Sequence, residues 1–215
     1  FLNEIIFIET TAKEKLIIAT TRPELLCTAA VIIYNPADER YTHLNGKKAI
    51  VPVYGFEIPI ISHAMADPQF GTGLAYMSRS AGDTEAIRFL IEQGIEAQGC
   101  IDETGRMTNE AGFLQGLKTK EAREKIIEKI KEASLLVKQT KIMHSVPICE
   151  RSKDQIEFIS MPEFYVKQLH AKEEMKKMAD EIHFYAPESK QILLDWIANI
   201  KIDWPISRRR YYGTE

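Results

Sequence analysis

Only three cysteines occur in this sequence, Cys27, Cys100 and Cys149. They are odd in number, widely spaced and without a C-x-x-C pair, which excludes a disulfide framework and argues against a structural zinc site; reduced thiols in a cytoplasmic setting are expected. Long apolar runs are missing as well. Those at 5–8 and 29–34 are far shorter than the roughly 20 residues that cross a bilayer, so no membrane span is expected. Neither charge dominates: 28 Lys and Arg stand against 31 Asp and Glu, a net charge of −3. This excludes a chain-wide basic coat for gripping nucleic acid and leaves only a local patch open. There is no G-x-S-x-G elbow, no G-x-x-x-x-G-K-[ST] loop and no H-E-x-x-H pair. The five histidines are scattered, so a metal-dependent hydrolase is disfavoured and no metal ligand is assigned.

What is present is the composition of a soluble globular protein, 215 residues with 45% apolar side chains, long enough for one domain and an appendage. The chain starts at Phe1 without an initiator Met and stops directly after a patterned run, so it is expected to be part of a larger polypeptide. Its first hundred residues read as short strands separated by turn chemistry: 5–9 and 16–20 as a hairpin, then 30–34, 49–53 and 57–61. They predict a barrel or tightly curled sheet. Pro52 and Pro59 cannot donate ladder hydrogen bonds, so their strands should be edges or bulged.

Helical periodicity covers 84–93, with Asp83 as its natural N-cap and Gly94 at the stop, and again 118–136, with Ala122, Ile126, Ile130 and Ala133 on one stripe. Between them, 94–115 reads as a strand and an irregular loop. After 141 the character changes to a strand-like stretch, 145–158, and two amphipathic helices, 164–178 and 189–200, with Pro162 and Pro187 placed where a first helical turn tolerates proline. The expected organisation is a mainly β fold at 1–144, a β-barrel core flanked by α-helices, and a helical C-terminal connector at 145–215.

Two segments carry possible chemistry. Thr20-Thr21-Arg22-Pro23-Glu24 places hydroxyls and an arginine where a strand ends, with proline stiffening the exit. It either offers donors to a small polar ligand or is a solvated strand terminus. Phe70-Gly71-Thr72-Gly73-Leu74 continues through Ser78 to Gly82-Asp83 at a helix start; its glycines let backbone amides approach a ligand, and Asp83 is equally a plain helix cap.

Taken in order, these segments, with Asn35-Pro36-Ala37-Asp38-Glu39-Arg40-Tyr41 and Asn45-Gly46-Lys47-Lys48-Ala49-Ile50-Val51-Pro52, resemble the editing domain of class I aminoacyl-tRNA synthetases, most of all the valyl-tRNA synthetases of archaeal type. The stretch from Ile202 to Thr214 is similar to the return of those enzymes from the inserted domain to the catalytic core. The resemblance implies a valine-tRNA ligase segment with aminoacyl-tRNA deacylase activity, proofreading threonyl-tRNA(Val) in a pocket on the barrel. It implies that Asp83, or Glu85 in its place, holds the α-ammonium group of the misattached amino acid. Arg22 is implied near the terminal adenosine, and Thr20, Thr21, Glu24, Gly71, Thr72, Gly73 and Ser78 are candidates for the substrate-binding wall. The implied partners are the 3′ acceptor end of tRNA(Val) and the remainder of the synthetase chain. No cofactor is implied for this segment, ATP and magnesium belonging to the whole enzyme. Two alternatives stay open: the editing domain of a leucyl- or isoleucyl-tRNA synthetase, and a non-catalytic tRNA-binding module using Lys201 with Arg208, Arg209 and Arg210.

Overall fold

Strict inward-outward alternation marks the first strand of the computed structural model, which describes residues 1–143, 146–151, 153, 155–159 and 161–207. In β1 (Leu2–Glu9), Asn3, Ile5, Phe7 and Glu9 are buried and the residues between them are not, the period-two pattern of a sheet with one face on a core. The chain returns as β2 (Lys15–Thr20), giving the expected antiparallel hairpin, with Asn3 opposite Thr20 and Ile8 opposite Lys15. With β3 (Ala29–Tyr34), β4 (Lys48–Ile50), β5 (Glu57–Ser62) and β6 (Leu74–Ser78), the sheet runs in the order β2-β1-β4-β5-β3-β6. A seventh strand, β7 (Leu136–Thr140), pairs with the first half of β1, and β4 with its end.

The outer strands β2 and β6 come back together. The Thr72 hydroxyl, just before β6, donates to the Ile17 carbonyl at 2.6 Å, and the Tyr76 hydroxyl donates to the Arg22 carbonyl at 2.6 Å. The rings of Phe7 and Tyr76 lie 6.1 Å apart across the interior. The sheet is therefore a nearly closed barrel, and helices α1 (Thr84–Glu92) and α2 (Thr119–Glu132) pack on it, the mainly β fold with flanking helices that the sequence predicts.

Two separate cores hold these pieces. The larger fills the barrel with Ile5, Phe7, Ile18, Ile32 and Ile60 and takes in Ala122, Ile126 and Ile130 of α2. The smaller joins Ala30, Val31 and Ile33 of β3 to Ala86, Phe89 and Leu90 of α1. All six residues of β3 are buried, because this strand is the wall between the two cores. Its near-continuous apolar run is what a strand buried on both faces requires.

The structure corrects several sequence expectations. Pro52 stands in a turn, and β4 ends two residues before it. Pro59 lies in β5, an interior strand between β4 and β3 rather than an edge. Ile60 N donates toward β4, to Lys47 O at 2.8 Å, so the Pro59 nitrogen faces β3, where the parallel ladder begins only at Ile32 opposite Ile60. No ladder bond is lost. Instead, a cavity of about 290 Å³ opens at that point, lined by Ala29, Ala30 and Pro59. Helix α2 ends at Glu132, and Ser134 takes φ +57, turning the chain into β7, which the helical reading of 118–136 missed. β6 was also missed, since its Gly-Thr-Gly prelude reads as a loop. Between α1 and α2 there is no strand, only two isolated bridges, Ile101 with Met107 and Arg106 with Lys118, and a 3₁₀ stretch, Asn109–Leu114.

Residues Met161–Glu215 form a second compact unit, the first being Phe1–Ser160. The expected division between 144 and 145 falls on residues outside the described ones. In the second unit, β8 (Tyr165–Val166) pairs antiparallel with β9 (Trp204–Pro205), and α3 (Lys172–Glu181) packs on α4 (Pro187–Asn199) through buried Ala179 and Ile197. Pro187 opens α4 as expected. Pro162 opens no helix, because the chain after it is drawn into the β8-β9 pair, and α3 starts only at Lys172. No helix among the described residues is long and apolar enough to cross a membrane.

Candidate functional site

The end of β2 and the segment from Gly71 to Asp83 meet because β2 and β6 close the barrel. Between them lies a cavity of about 240 Å³, on whose wall stand Thr20, Thr21, Arg22, Ser78 and Asp83. A second cavity of about 300 Å³ adjoins it, with Gly73, Asp83 and Glu85 on its wall. Phe70, Ala75, Met77, Asp83 and Ala86 line both. Asp83 therefore stands on the ridge between the two spaces.

Asp83 is placed by helix formation. As N-cap of α1 it adopts an extended backbone, and its Oδ1 accepts from Ala86 N at 2.8 Å. A cap uses one carboxylate oxygen, so the other remains for a ligand. The hydroxyls differ in availability. Ser78 Oγ is engaged with Thr28 Oγ1 at 2.8 Å and accepts from Ser80 N at 3.1 Å. Thr20 Oγ1 accepts from Arg22 N at 3.0 Å. Thr21 has no side-chain hydrogen bond among the described residues and is the open hydroxyl of the wall.

Arg22 is tied down by carboxylates. Its Nε donates to Glu24 Oε1 and one terminal nitrogen to Glu157 Oε2, each at 2.6 Å. Burial works against the arginine charge, but Glu24 and Glu157 outweigh it and raise the Arg22 pKa. Glu24 lines neither cavity; it is fully buried and also receives Arg123 from α2, at 3.0 and 2.6 Å. Arg123 and Glu157 had no sequence signal, since one sits among the charges of an amphipathic helix and the other in an irregular stretch.

Gly71 and Thr72 line neither cavity either, and their work is to seat the turn. Gly71 has φ +59, and a Cβ there would lie 2.5 Å from Ala19 Cβ, so the turn approaches β2 at a distance no side chain permits. Gly71→Ala is expected to cost about 1–3 kcal/mol; thermal unfolding measures this, and an unchanged midpoint contradicts the packing argument. The Asn35–Tyr41 segment holds the same turn from the other side. Asn35 Nδ2 donates to Ala66 O at 2.8 Å, Arg40 Nη2 to Pro68 O at 3.3 Å and the Tyr41 hydroxyl to Thr72 O at 2.7 Å. Hydrogen bonds from Arg40 hold the Asp38 carboxyl below the usual carboxylate range, keeping this clamp ionised. Two segments far from it in sequence, β2 and Asn35–Tyr41, thus hold this one turn.

The family model described as tRNA synthetases class I (I, L, M and V) matches residues 84–215, more than half of the chain, starting at the helix that Asp83 caps. The chain belongs to the class I tRNA synthetases. Within this family it is similar to the valine–tRNA ligase of Pyrobaculum aerophilum, 45% identical over 215 residues, covering 100% of this chain and 26% of that protein. It is similar also to that of Nanoarchaeum equitans, 51% identical over 198 residues, 92% of this chain and 26% of that one. The chain spans about a quarter of the length of these relatives. Among solved structures, the ternary complex of Agrobacterium radiobacter K84 agnB2 LeuRS, tRNA and LeuAMS aligns with TM-score 0.49 at 17% identity, over 62% of this chain and 19% of that one. The structure of GlLeuRS-CP1 aligns with TM-score 0.46 at 11% identity, over 66% of this chain and 99% of that one. The synthetase segment carries its candidate groups on the barrel rim. Lys201 lies in the second unit, whereas Arg208, Arg209 and Arg210 fall outside the described residues.

Proposed function

We propose that the chain hydrolyses the ester joining a wrongly attached threonine to the 3′ end of tRNA(Val). The need for such an activity is physical: threonine and valine are nearly isosteric, and a valine pocket rejects threonine by only about a hundredfold, a value established for valyl-tRNA synthetases themselves. A second site must demand the hydroxyl by hydrogen bonding. The observation that carries this reading is one small cavity holding both an exposed carboxylate, Asp83, and an open hydroxyl, Thr21.

In this reading Asp83 binds the α-ammonium group through its free oxygen, a charge-assisted contact that fixes the ester. Thr21 meets the threonine hydroxyl, which valine cannot offer. Water attacks the ester carbonyl; the new carbon–oxygen bond replaces the bond to the ribose oxygen, which leaves with a proton, giving free threonine and an intact tRNA end. The acceleration comes from positioning and electrostatics, without a covalent enzyme intermediate. The step needs no nucleotide or metal, since ATP and magnesium serve amino-acid activation in the whole synthetase. The setting is cytoplasmic, and the partners are the acceptor end of tRNA(Val) and the rest of the enzyme.

The test is deacylation of tRNA charged in turn with threonine, valine, isoleucine and norvaline. Threonyl ester is expected to be released at least about a hundredfold faster than valyl ester, because a polar site left unmet discriminates strongly. Equal rates, or a preference for isoleucine or norvaline, overturn the assignment to threonine. No release of any ester overturns the hydrolase reading in favour of a binding module.

A further inference from the structure

Arg22 reaches the first cavity as part of a row of alternating charges, Arg123, Glu24, Arg22 and Glu157, whose side chains are 32%, 0%, 18% and 12% exposed. The row joins α2, the turn after β2 and the stretch at 155–159, and it carries no net charge. A guanidinium presents five N–H donors in one plane. In Arg22, one donates to Glu24 and one to Glu157, on different nitrogens, so the plane is fixed at two points. The remaining donors have no acceptor among the described residues. A planar cation already held in place binds an anion without the entropy cost of ordering it, and the guanidinium fork matches a phosphate.

We infer that Glu157 is a positioning residue for Arg22: it holds the guanidinium so that its open donors meet a backbone phosphate of the RNA acceptor end. This rests on the hydrolase reading above, which brings an RNA end to the cavity. Glu157 does not touch the RNA. Glu24 cannot do this work alone, since a single contact at Nε leaves the guanidinium free to swing about that point, and Glu24 is shared with Arg123.

The test uses the whole 215-residue chain and an uncharged minihelix ending in CCA, with affinity read by fluorescence anisotropy at a temperature where circular dichroism shows each variant folded. Glu157→Ala is expected to weaken binding about tenfold. Glu157→Gln, which keeps an oxygen for Arg22, should recover most of it. In an Arg22→Lys background, Glu157→Ala should cause no further loss, since there is no fork left to orient. With threonyl-minihelix, the Glu157→Ala loss should fall on KM rather than on kcat. Unaltered binding by Glu157→Ala overturns the inference, as does the same loss with lysine at 22. Tighter binding overturns it too, for Glu157 would then compete with the phosphate. Because the minihelix is uncharged, binding is readable even if no ester is cleaved; a wild-type chain that cleaves ester but shows no salt-sensitive affinity for the minihelix defeats the inference alone.

Discussion

Asp83→Asn is expected to lower threonyl ester hydrolysis by about a hundredfold or more while leaving the unfolding midpoint nearly where it is. Asparagine caps a helix about as well as aspartate, so the bond to Ala86 N survives and α1 keeps its start. What disappears is the negative charge facing the cavity, and a preorganised electrostatic contact of this kind is worth about two to three orders of magnitude. Asp83→Ala should show the same kinetic loss with a further ~1 kcal/mol of instability from the missing cap. The pair separates the two roles of one side chain. Glu85→Gln should cost far less, because Glu85 borders the adjoining space and not the one that holds Thr21. If Glu85→Gln is the variant that stops hydrolysis, the anchor is assigned to the wrong carboxylate.

The second large effect is on stability. Glu24→Ala removes the fully buried centre of the charge row and leaves Arg22 and Arg123 facing each other without the anion between them. Breaking a buried pair by deleting one partner costs about 3–5 kcal/mol. For a chain of this size that lowers the unfolding midpoint by roughly 6–20 °C. Calorimetry or circular dichroism measures it. A shift of only a degree or two means that water reaches this row and that Glu24 is no keystone.

The sequence made the hairpin, the barrel and the order of the motifs legible, because alternation and turn residues act locally. β7 escaped notice since Leu135 and Leu136 continue the apolar stripe of α2, and only the left-handed turn at Ser134 separates them. Pro59 misled for a related reason: proline forbids a donor, but it says nothing of whether a partner strand is present on that side to miss it. At the site, Thr20, Thr21, Arg22, Ser78 and Asp83 line the wall of one cavity. Glu24, Gly71 and Thr72 stand behind that wall, and their chemistry gave no way to tell lining from scaffolding. Arg123 is separated from Glu24 by about a hundred residues and carries no pattern that links the two. Such pairings belong to the closed barrel, not to any stretch of chain.

The division of the interior by β3 has a consequence for heat and for design. The helix that carries Asp83 is anchored through a small patch of its own, and the barrel stands on a larger one that shares no residue with it. In the proposed reading, chemistry and folding are thus wired to different fuses: fraying of the short helix α1 would displace the Asp83 carboxylate while the barrel core stays whole, and an engineer can tighten one without touching the other.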